Sequence, residues 1–147
     1  MIKDILNAFM AKTAQPLNSD DARIALAALM VRIARTDGDY AQIEITTIDR
    51  MLQKRFNLDA QAATALRQQA EDLEAQAPDT VRFTRTIKES VPYEERAAVI
   101  QALWAVVLSD GHRDDEEHGL MRLLANLLGI NDRDSAFARQ RAQKDLV

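Results

Sequence analysis

The feature that most constrains this chain is an internal repeat, because two separate segments follow the same pattern of apolar and acidic residues. Residues 27–58 read AALMVRIARTDGDYAQIEITTIDRMLQKRFNL, and residues 100–130 read IQALWAVVLSDGHRDDEEHGLMRLLANLLGI. A shift of 73 positions places Asp37 on Asp110 and Glu44 on Glu117. Each copy is an apolar run that ends in a hydroxyl residue and Asp-Gly, followed by a second run with helical spacing. The repeat therefore predicts a duplicated unit of helix, acidic turn and helix.

Two stretches have the composition of central helices. Residues 24–31 are apolar on every side of a helix, and residues 97–108 are interrupted only by Gln101. A helix with no polar face must be enclosed by the rest of the domain. We therefore expect one such helix at the centre of each repeat.

Amphipathic helices are predicted around these two. One follows each Asp-Gly turn, and Asp59 and Asn131 can cap the helices that come next, at about 60–76 and 132–145. A further helix is predicted between Pro78 and Pro92. The expected fold is all-α, a compact bundle of seven to eight helices built from two pseudo-repeats. It forms a single domain over 1–147, with repeat 1 at about 20–76 and repeat 2 at about 92–145.

The N-terminal segment predicts one more helix, at 1–14, because its apolar residues recur at helical spacing. These residues are Ile2, Ile5, Leu6, Phe9 and Met10. Packing of this helix on the domain is the simpler interpretation. Peripheral contact with a membrane surface is the alternative, although the polar face is not rich in Lys and Arg.

Composition limits the class of protein. The chain has no Cys, which excludes disulfides, thiolate metal sites and cysteine nucleophiles. No apolar run reaches the length needed to cross a bilayer, and the N-terminus does not have the form of a signal peptide. A net charge of −4 argues against a nucleic acid as the main partner. We expect a soluble cytoplasmic protein with a protein partner and an oligomeric state that the sequence leaves open.

The acidic turns have two interpretations. In the first, they are folding devices, because a carboxylate at a helix N-terminus accepts backbone N–H groups and meets the positive end of the helix dipole. In the second, clustered carboxylates hold a divalent cation such as calcium, magnesium or zinc. The spacing is not that of an EF-hand, since Ile48 stands at the twelfth position from Asp37, where a Glu is required.

The candidate metal ligands are the acidic residues of both turns and of the helix starts that follow, namely Asp37, Asp39, Glu44, Asp110, Asp114 and Glu117. An alternative function is a metal-dependent hydrolase that uses the cluster from Asp110 to His118, with Asp110, Asp114, Glu117 and His118 as ligands and a bound water as nucleophile. Otherwise no catalytic constellation is evident, so the expected protein is not an enzyme and has no catalytic residue to name.

The duplicated apolar helix with Asp-Gly, and Glu seven residues after the Asp, resembles the TerB-like family over roughly residues 20–130. That family takes its name from a bacterial tellurite-resistance protein, and related domains occur in DjlA-type co-chaperones. The resemblance implies a helical bundle of two pseudo-repeats, a metal-associated site at the six acidic residues above, and a stress-linked interaction or scaffold role. The two copies do not have equivalent sets of candidate ligands, because Ala41 stands in the first copy where the second has Asp114. It also lacks the His-Pro-Asp signature, so a co-chaperone role would need a separate partner.

Overall fold

A computed structural model of the protein describes residues 19–36, 40–76, 80–109 and 115–145, and these form seven α-helices and no strand. In chain order the helices are α1 (Ser19–Arg35), α2 (Gln42–Phe56), α3 (Ala60–Gln76), α4 (Thr80–Ser90), α5 (Tyr93–Leu108), α6 (Asp115–Leu127) and α7 (Asp132–Asp145). The all-α prediction is confirmed. The helix predicted at 1–14 lies outside the described residues.

The helices α1, α2 and α3 recur as α5, α6 and α7. Helix α2 begins at Gln42 and α6 begins at Asp115, which is 42 plus 73. The packing recurs as well, since α1 packs most extensively against α3, and α5 packs most extensively against α7. Helix α4 joins the two sets and lies mainly against α1.

The second helix of each set ends in the same way. Asn57 after α2 has a φ of 54°, and Gly129 after α6 has a φ of 75°. Beyond them, the N–H of Leu58 donates to the Gln53 carbonyl at 3.0 Å, and the N–H of Ile130 donates to the Ala125 carbonyl at 2.8 Å. Both endings therefore have the backbone bond of a Schellman motif. The left-handed residues are 72 positions apart, so the second copy turns one residue earlier than the first.

The caps predicted for the third helix of each set are present. Asp59 Oδ1 accepts the N–H of Ala62 at 2.7 Å, and Asn131 Oδ1 accepts the N–H of Asp134 at 2.8 Å. Each cap satisfies a backbone donor that has no partner inside its own helix. These two residues therefore fix where α3 and α7 begin.

The core lies along α1 and α5, as their composition predicted. Every residue from Ile24 to Val31 is buried, and so are residues 99, 100 and 102–107 of α5. The two helices also pack against each other, so that their apolar sides form one continuous core with the inner faces of the other helices. Within the part of the chain that the structure describes, no helix is both long and apolar enough to span a membrane.

Candidate functional site

The hydroxyl residue before each Asp-Gly pair forms similar hydrogen bonds to the helix that precedes it. The N–H of Thr36 donates to the Ile33 carbonyl at 3.2 Å, and its Oγ1 donates to the Arg32 carbonyl at 2.8 Å. In the second copy, the N–H and the Oγ of Ser109 both donate to the Val106 carbonyl, at 3.3 and 2.7 Å. The hydroxyl residue of each motif therefore has a structural role, because it satisfies carbonyls in the last turn of the helix.

Of the six predicted metal ligands, one has a described side chain. Asp37, Asp39, Asp110 and Asp114 lie outside the described residues, and Glu117 belongs to α6 but its side chain is also outside the described part. The same holds for His118. The metal site therefore stays a prediction, and so does the hydrolase that would use Asp110 to His118. Among the described residues, no group of three or more His, Asp or Glu side chains is arranged to hold a metal ion.

The described member of the set, Glu44, is buried at the start of α2 with 1% of its surface exposed. Its Oε1 accepts the N–H of Ala41, the residue before the helix, at 3.4 Å. Ala41 has no side-chain acceptor to return the bond, so Glu44 provides only one half of a capping box. The buried carboxylate of Glu44 lies near the positive end of the α2 dipole. This agrees with the interpretation of the turns as folding devices.

The residue that follows the first turn is held by a network of ionic groups. Tyr40 donates its hydroxyl hydrogen to Glu71 Oε2 at 2.7 Å. Arg67 donates from Nη1 to the same oxygen at 2.9 Å, and from Nε to Asp49 Oδ1 at 2.6 Å. The network thus joins the end of the turn to α2 and α3. Spacing alone could have indicated one of its contacts, because Arg67 and Glu71 stand four residues apart on α3.

Burial and hydrogen bonding shift the pKa of two members of this network. Desolvation raises the pKa of Tyr40, and the adjacent Glu71 carboxylate raises it further. Burial lowers the pKa of Arg67, but its hydrogen bonds to Asp49 and Glu71 outweigh this effect and raise the pKa above the ordinary value. At neutral pH, Tyr40 is therefore a neutral donor and Arg67 a permanent cation.

The same side of the first repeat has a second group of ionic contacts, at the C-terminal end of α3. Arg35 Nη1 lies 3.0 Å from Glu74 Oε2, and Arg32 Nη2 donates to the Glu74 carbonyl at 3.2 Å. The Arg35 guanidinium also lies over the Tyr40 ring, 5.2 Å from its centroid. Cations at a helix C-terminus are favoured by the helix dipole, so these arginines tie the end of α1 to the end of α3.

The second repeat holds α5 and α7 together by different contacts. Trp104 Nε1 donates to Ser135 Oγ at 3.1 Å, and the Arg139 guanidinium lies 5.2 Å from the centre of the Trp104 ring. Arg139 stands 72 positions after Arg67, which makes it the counterpart of Arg67 in the second repeat. The arginine therefore pairs with carboxylates in the first copy and forms a cation–π contact in the second. Trp104 belongs to the core, because only 8% of its surface is exposed.

A groove opens between the first turn of α5 and the first three turns of α7. It has a volume of about 300 Å³ and is lined by Tyr93, Glu94, Ala97, Ile130, Asp134, Phe137 and Arg141. Two aromatic rings flank it, with Tyr93 43% exposed and Phe137 44% exposed. The Tyr93 hydroxyl donates to Asp134 Oδ2 at 3.2 Å, which holds that ring at the α7 side. This bond also raises the pKa of Tyr93.

The residue that lines the groove at the start of α5 differs between the two repeats. The residue 73 positions before Ala97 is Ile24, which is buried with 1% of its surface exposed. A larger side chain thus occupies the position that Ala97 leaves open. Sequence reasoning missed this site, although one sign was present: Phe137 is a large apolar residue within an otherwise polar stretch of α7.

Fold and contacts together define the class: an all-helical domain made of a duplicated three-helix set, with a hydroxyl-Asp-Gly motif after the first helix of each set. Comparison with known families agrees with this description. The family described as tellurite resistance protein TerB matches residues 23–140, and the chain belongs to that family. No curated protein and no solved structure matches it.

Proposed function

We propose that this TerB-family domain is a non-catalytic interaction module, and that it binds a peptide segment of a partner protein in the groove between α5 and α7. The module would act as a scaffold in a bacterial stress response in the cytoplasm. The observation that carries the proposal is the pair of exposed aromatic residues, Tyr93 and Phe137, on either side of an apolar floor. Exposed aromatic side chains beside a pocket are the usual anchors of protein interfaces.

The shape of the groove favours one or two apolar side chains of a partner. Ala97 and Ile130 supply apolar lining between the two rings. A volume of about 300 Å³ suits such side chains better than a whole helix. An inserted side chain would bury apolar surface against both rings, and burial of this kind contributes about 25 cal/mol per Å².

The lining of the groove has charges of both signs, from Glu94, Asp134 and Arg141. The arginines near it are engaged within the domain: Arg96 Nη1 donates to the Leu128 carbonyl at 2.8 Å, Arg141 Nε donates to Gln101 Oε1 at 2.9 Å, and the Arg133 guanidinium lies 5.6 Å from the centre of the Phe137 ring. The Glu94 carboxylate at the rim is exposed to solvent. The contacts of the arginines are with neutral groups and leave the arginines charged, so we expect a large apolar residue of the peptide, and not the sign of its neighbouring charge, to determine binding.

The test is selection of peptides from a displayed random library, with the wild type and the Ala97→Ile variant as baits. Ala97→Ile places in the groove the residue that the first repeat has at the same position. The wild type should enrich a motif with one or two large apolar residues, and Ala97→Ile should lose it. Leu123→Ala is the matched control, because Leu123 is 48% exposed on α6 and does not line the groove. Enrichment of the same motif by Ala97→Ile, or of none by the wild type, would refute the proposal.

A second candidate function is cation binding at the acidic turns, and the placement of Glu44 favours it. This buried carboxylate stands at the start of α2, five residues after Asp39. The residues on both sides of the first turn are fixed, Thr36 by the α1 carbonyls and Tyr40 by Glu71. A turn whose ends are held in place loses less conformational entropy when its carboxylates bind an ion.

The test is the melting temperature in the presence of calcium, magnesium or zinc. A cation that binds only the folded chain raises the melting temperature in proportion to the logarithm of its concentration above Kd. The second turn is richer in carboxylates, so the double variant Asp110→Asn with Glu117→Gln should abolish the shift, while Asp37→Asn should leave most of it. If no cation changes the melt and the double variant is neutral or more stable, the turns are folding devices only.

A further inference from the structure

Arg96 lies near the start of α5, and it contacts both the groove and the end of α6. Its guanidinium lies 5.3 Å from the centre of the Tyr93 ring, which forms one wall of the groove. Its Nη1 donates to the Leu128 carbonyl at 2.8 Å. The same Nη1 lies close to Gly129, since a Cβ on that residue would be 3.3 Å from it. One side chain therefore connects a wall of the peptide site to the backbone at the end of another helix.

These contacts fix the Tyr93 ring from two sides. Its hydroxyl donates to Asp134 on α7 at 3.2 Å, and its ring contacts Arg96, which is bonded to the end of α6. Phe137 on the other wall has no hydrogen-bonding group, and the arginine beside it, Arg133, comes from the same helix. A side chain that is already fixed loses less conformational entropy when a ligand binds. Tyr93 is therefore the preformed wall of the groove.

The floor of the groove depends on the same end of α6. Ile130, a buried residue of the lining, directly follows Gly129. The chain turns at Gly129, where φ is 75°, and the N–H of Ile130 then donates to the Ala125 carbonyl at 2.8 Å. The ending of α6 therefore places Ile130 directly and Tyr93 through Arg96.

The guanidinium of Arg96 is partly removed from water. Its Nε is buried and donates no hydrogen bond within the part of the chain that the structure describes. A cation–π contact is stronger when the cation is desolvated, because water then screens its charge less. The contact of Arg96 with Tyr93 should therefore constrain its ring more than the contact of the exposed Arg133 constrains Phe137.

The first repeat has the arginine but not this connection. Arg23, which stands 73 positions before Arg96, lies with its guanidinium 5.1 Å from the centre of the Phe56 ring at the end of α2. The residue 73 positions before Tyr93 is Asp20, which has no ring. An arginine near the end of the second helix thus recurs, whereas a ring for it at the start of the first helix is present only in the second repeat. This difference favours a role in the groove over a role in the shared scaffold.

We propose that Arg96 is a positioning residue of the groove, and that it couples the affinity of the groove for its peptide to the left-handed ending of α6 at Gly129. The inference rests on the proposed function of the groove and adds the means by which that site is controlled. A change in the backbone at the end of α6 would release the Tyr93 wall and displace Ile130 without any contact with the peptide.

The test measures, by isothermal titration calorimetry, the affinity of a synthetic peptide with the sequence that the wild type enriches from the library. Arg96→Met should weaken binding about tenfold, because Tyr93 loses one of its two anchors. Arg133→Met is the matched control, since it removes the arginine beside the other ring, and it should change the affinity by less than about twofold. Arg96→Lys should fall between the wild type and Arg96→Met, because an ammonium can donate to the Leu128 carbonyl but lacks the planar group that stacks on a ring. Equal affinities for Arg96→Met and Arg133→Met would overturn the proposal.

A pair of glycine variants separates the end of α6 from the lining of the groove. Gly129→Ala places a Cβ 3.3 Å from Nη1 of Arg96, and it should weaken peptide binding although Gly129 does not line the groove. Gly119→Ala lies inside α6, where a Cβ meets nothing within 4 Å, and it should leave the affinity unchanged. If Gly129 acts through Arg96, the addition of Gly129→Ala to Arg96→Met should cause no further loss of affinity. Full additivity of the two losses would refute the coupling.

A measurement without peptide distinguishes a failure of this inference from a failure of the proposed function. The chain has two tyrosines, so isotope-labelled tyrosine gives separate ring signals in the NMR spectrum for Tyr40 and Tyr93, and Tyr93→Phe assigns them. Gly129→Ala and Arg96→Met should each move the Tyr93 signal by more than its linewidth and leave the Tyr40 signal in place, whereas Gly119→Ala should move neither. If Gly129→Ala leaves the Tyr93 signal in place, the inference is wrong even if the groove binds peptide. If the signal moves but the wild type enriches no peptide, the connection of Tyr93 to α6 is supported and only the proposed function fails.

Discussion

The Nε of Arg67 lies 2.6 Å from Oδ1 of Asp49, and this ion pair joins α3 to α2. Both side chains are largely buried, with 12% and 21% of their surfaces exposed. The second repeat cannot form the same pair, because the residue 73 positions after Asp49 is Arg122. The arginine at the position of Arg67 there is Arg139, which lies over the Trp104 ring instead. The two repeats therefore share a helical scaffold and differ in the interactions that join its helices.

Replacement of Arg67 by Met should destabilise the domain by about 2 kcal/mol, because the Asp49 and Glu71 carboxylates lose the cation that compensates their burial. Urea denaturation measures this difference. The double variant Arg67→Met with Asp49→Asn should recover part of the loss, since one of the two carboxylates is then neutral. Arg85→Met, at an exposed position of α4, is the control and should change stability by less than about 0.5 kcal/mol. Strict additivity in the double variant would show that the ion pair does not couple α2 to α3.

Tyr40 should make the stability of the wild type fall above pH 10. The pKa of this phenol is raised in the folded protein from an ordinary value of 10.0, so the unfolded chain loses the proton first as pH rises. The stabilising contribution is therefore fully present below pH 10 and is lost at higher pH. Tyr40→Phe should cost about 1 kcal/mol at pH 8, through loss of the hydrogen bond to Glu71, and this difference from the wild type should shrink above pH 10.

The measurement is urea denaturation of both proteins at pH 8, 9, 10 and 11. Tyr93→Phe is the comparison variant, since the hydroxyl of Tyr93 also bonds to a carboxylate, that of Asp134, but the residue is exposed. Solvent weakens that interaction, so we expect a smaller dependence on pH than for Tyr40. A constant difference between the wild type and Tyr40→Phe across this range would contradict the prediction.

Replacement of two glycines of the second repeat by alanine should change the stability of the domain in opposite directions. Gly129 has a φ of 75°, and a Cβ there would lie 3.3 Å from Nη1 of Arg96, which bonds to the Leu128 carbonyl. Gly129→Ala should therefore cost about 1 kcal/mol or more. Gly119 lies inside α6, and a Cβ there meets nothing within 4 Å. Gly119→Ala should stabilise the domain by about 0.5–1 kcal/mol, because alanine is the better helix former.

Thermal and urea denaturation of the two single variants check this pair. Asn57 supplies an internal reference, because it adopts the left-handed conformation at the end of α2 without being glycine. Asn57→Gly should be stabilising or neutral, since glycine reaches positive φ without steric cost. A stability of Gly129→Ala equal to that of the wild type would mean that the α6 ending tolerates another backbone conformation.

The helices and their ends were predictable because the interactions that set them are local. An apolar composition on every side identified α1 and α5 as central helices, and residues 24–31 of α1 and 99, 100 and 102–107 of α5 are buried. The caps at Asp59 and Asn131 involve residues three positions away. Asn57 and Gly129 end their helices through their own backbone conformations. None of these features requires knowledge of which helices are neighbours.

The contacts between helices could not be predicted in this way. The bond from Tyr40 to Glu71 joins residues 31 positions apart, and no sequence pattern pairs them. The groove at Tyr93 and Phe137 also depends on two helices that meet in space, because each residue alone is an ordinary exposed aromatic. The metal site at the six predicted ligands stays a prediction. Their spacing indicates a cluster within each turn, but the structure describes only Glu44 among their side chains.

The sequence by itself determined the all-helical fold, the repeat and the places where the helices begin and end, since periodicity and capping act within a few residues along the chain. The tertiary structure determined which interactions join the helices in each copy. The first repeat joins its helices through buried ionic groups around Arg67, and the second joins them through Trp104 and leaves a groove over Ala97. The physical reason is that burial and the pairing of charges depend on neighbours distant in sequence, which only the packed structure brings together.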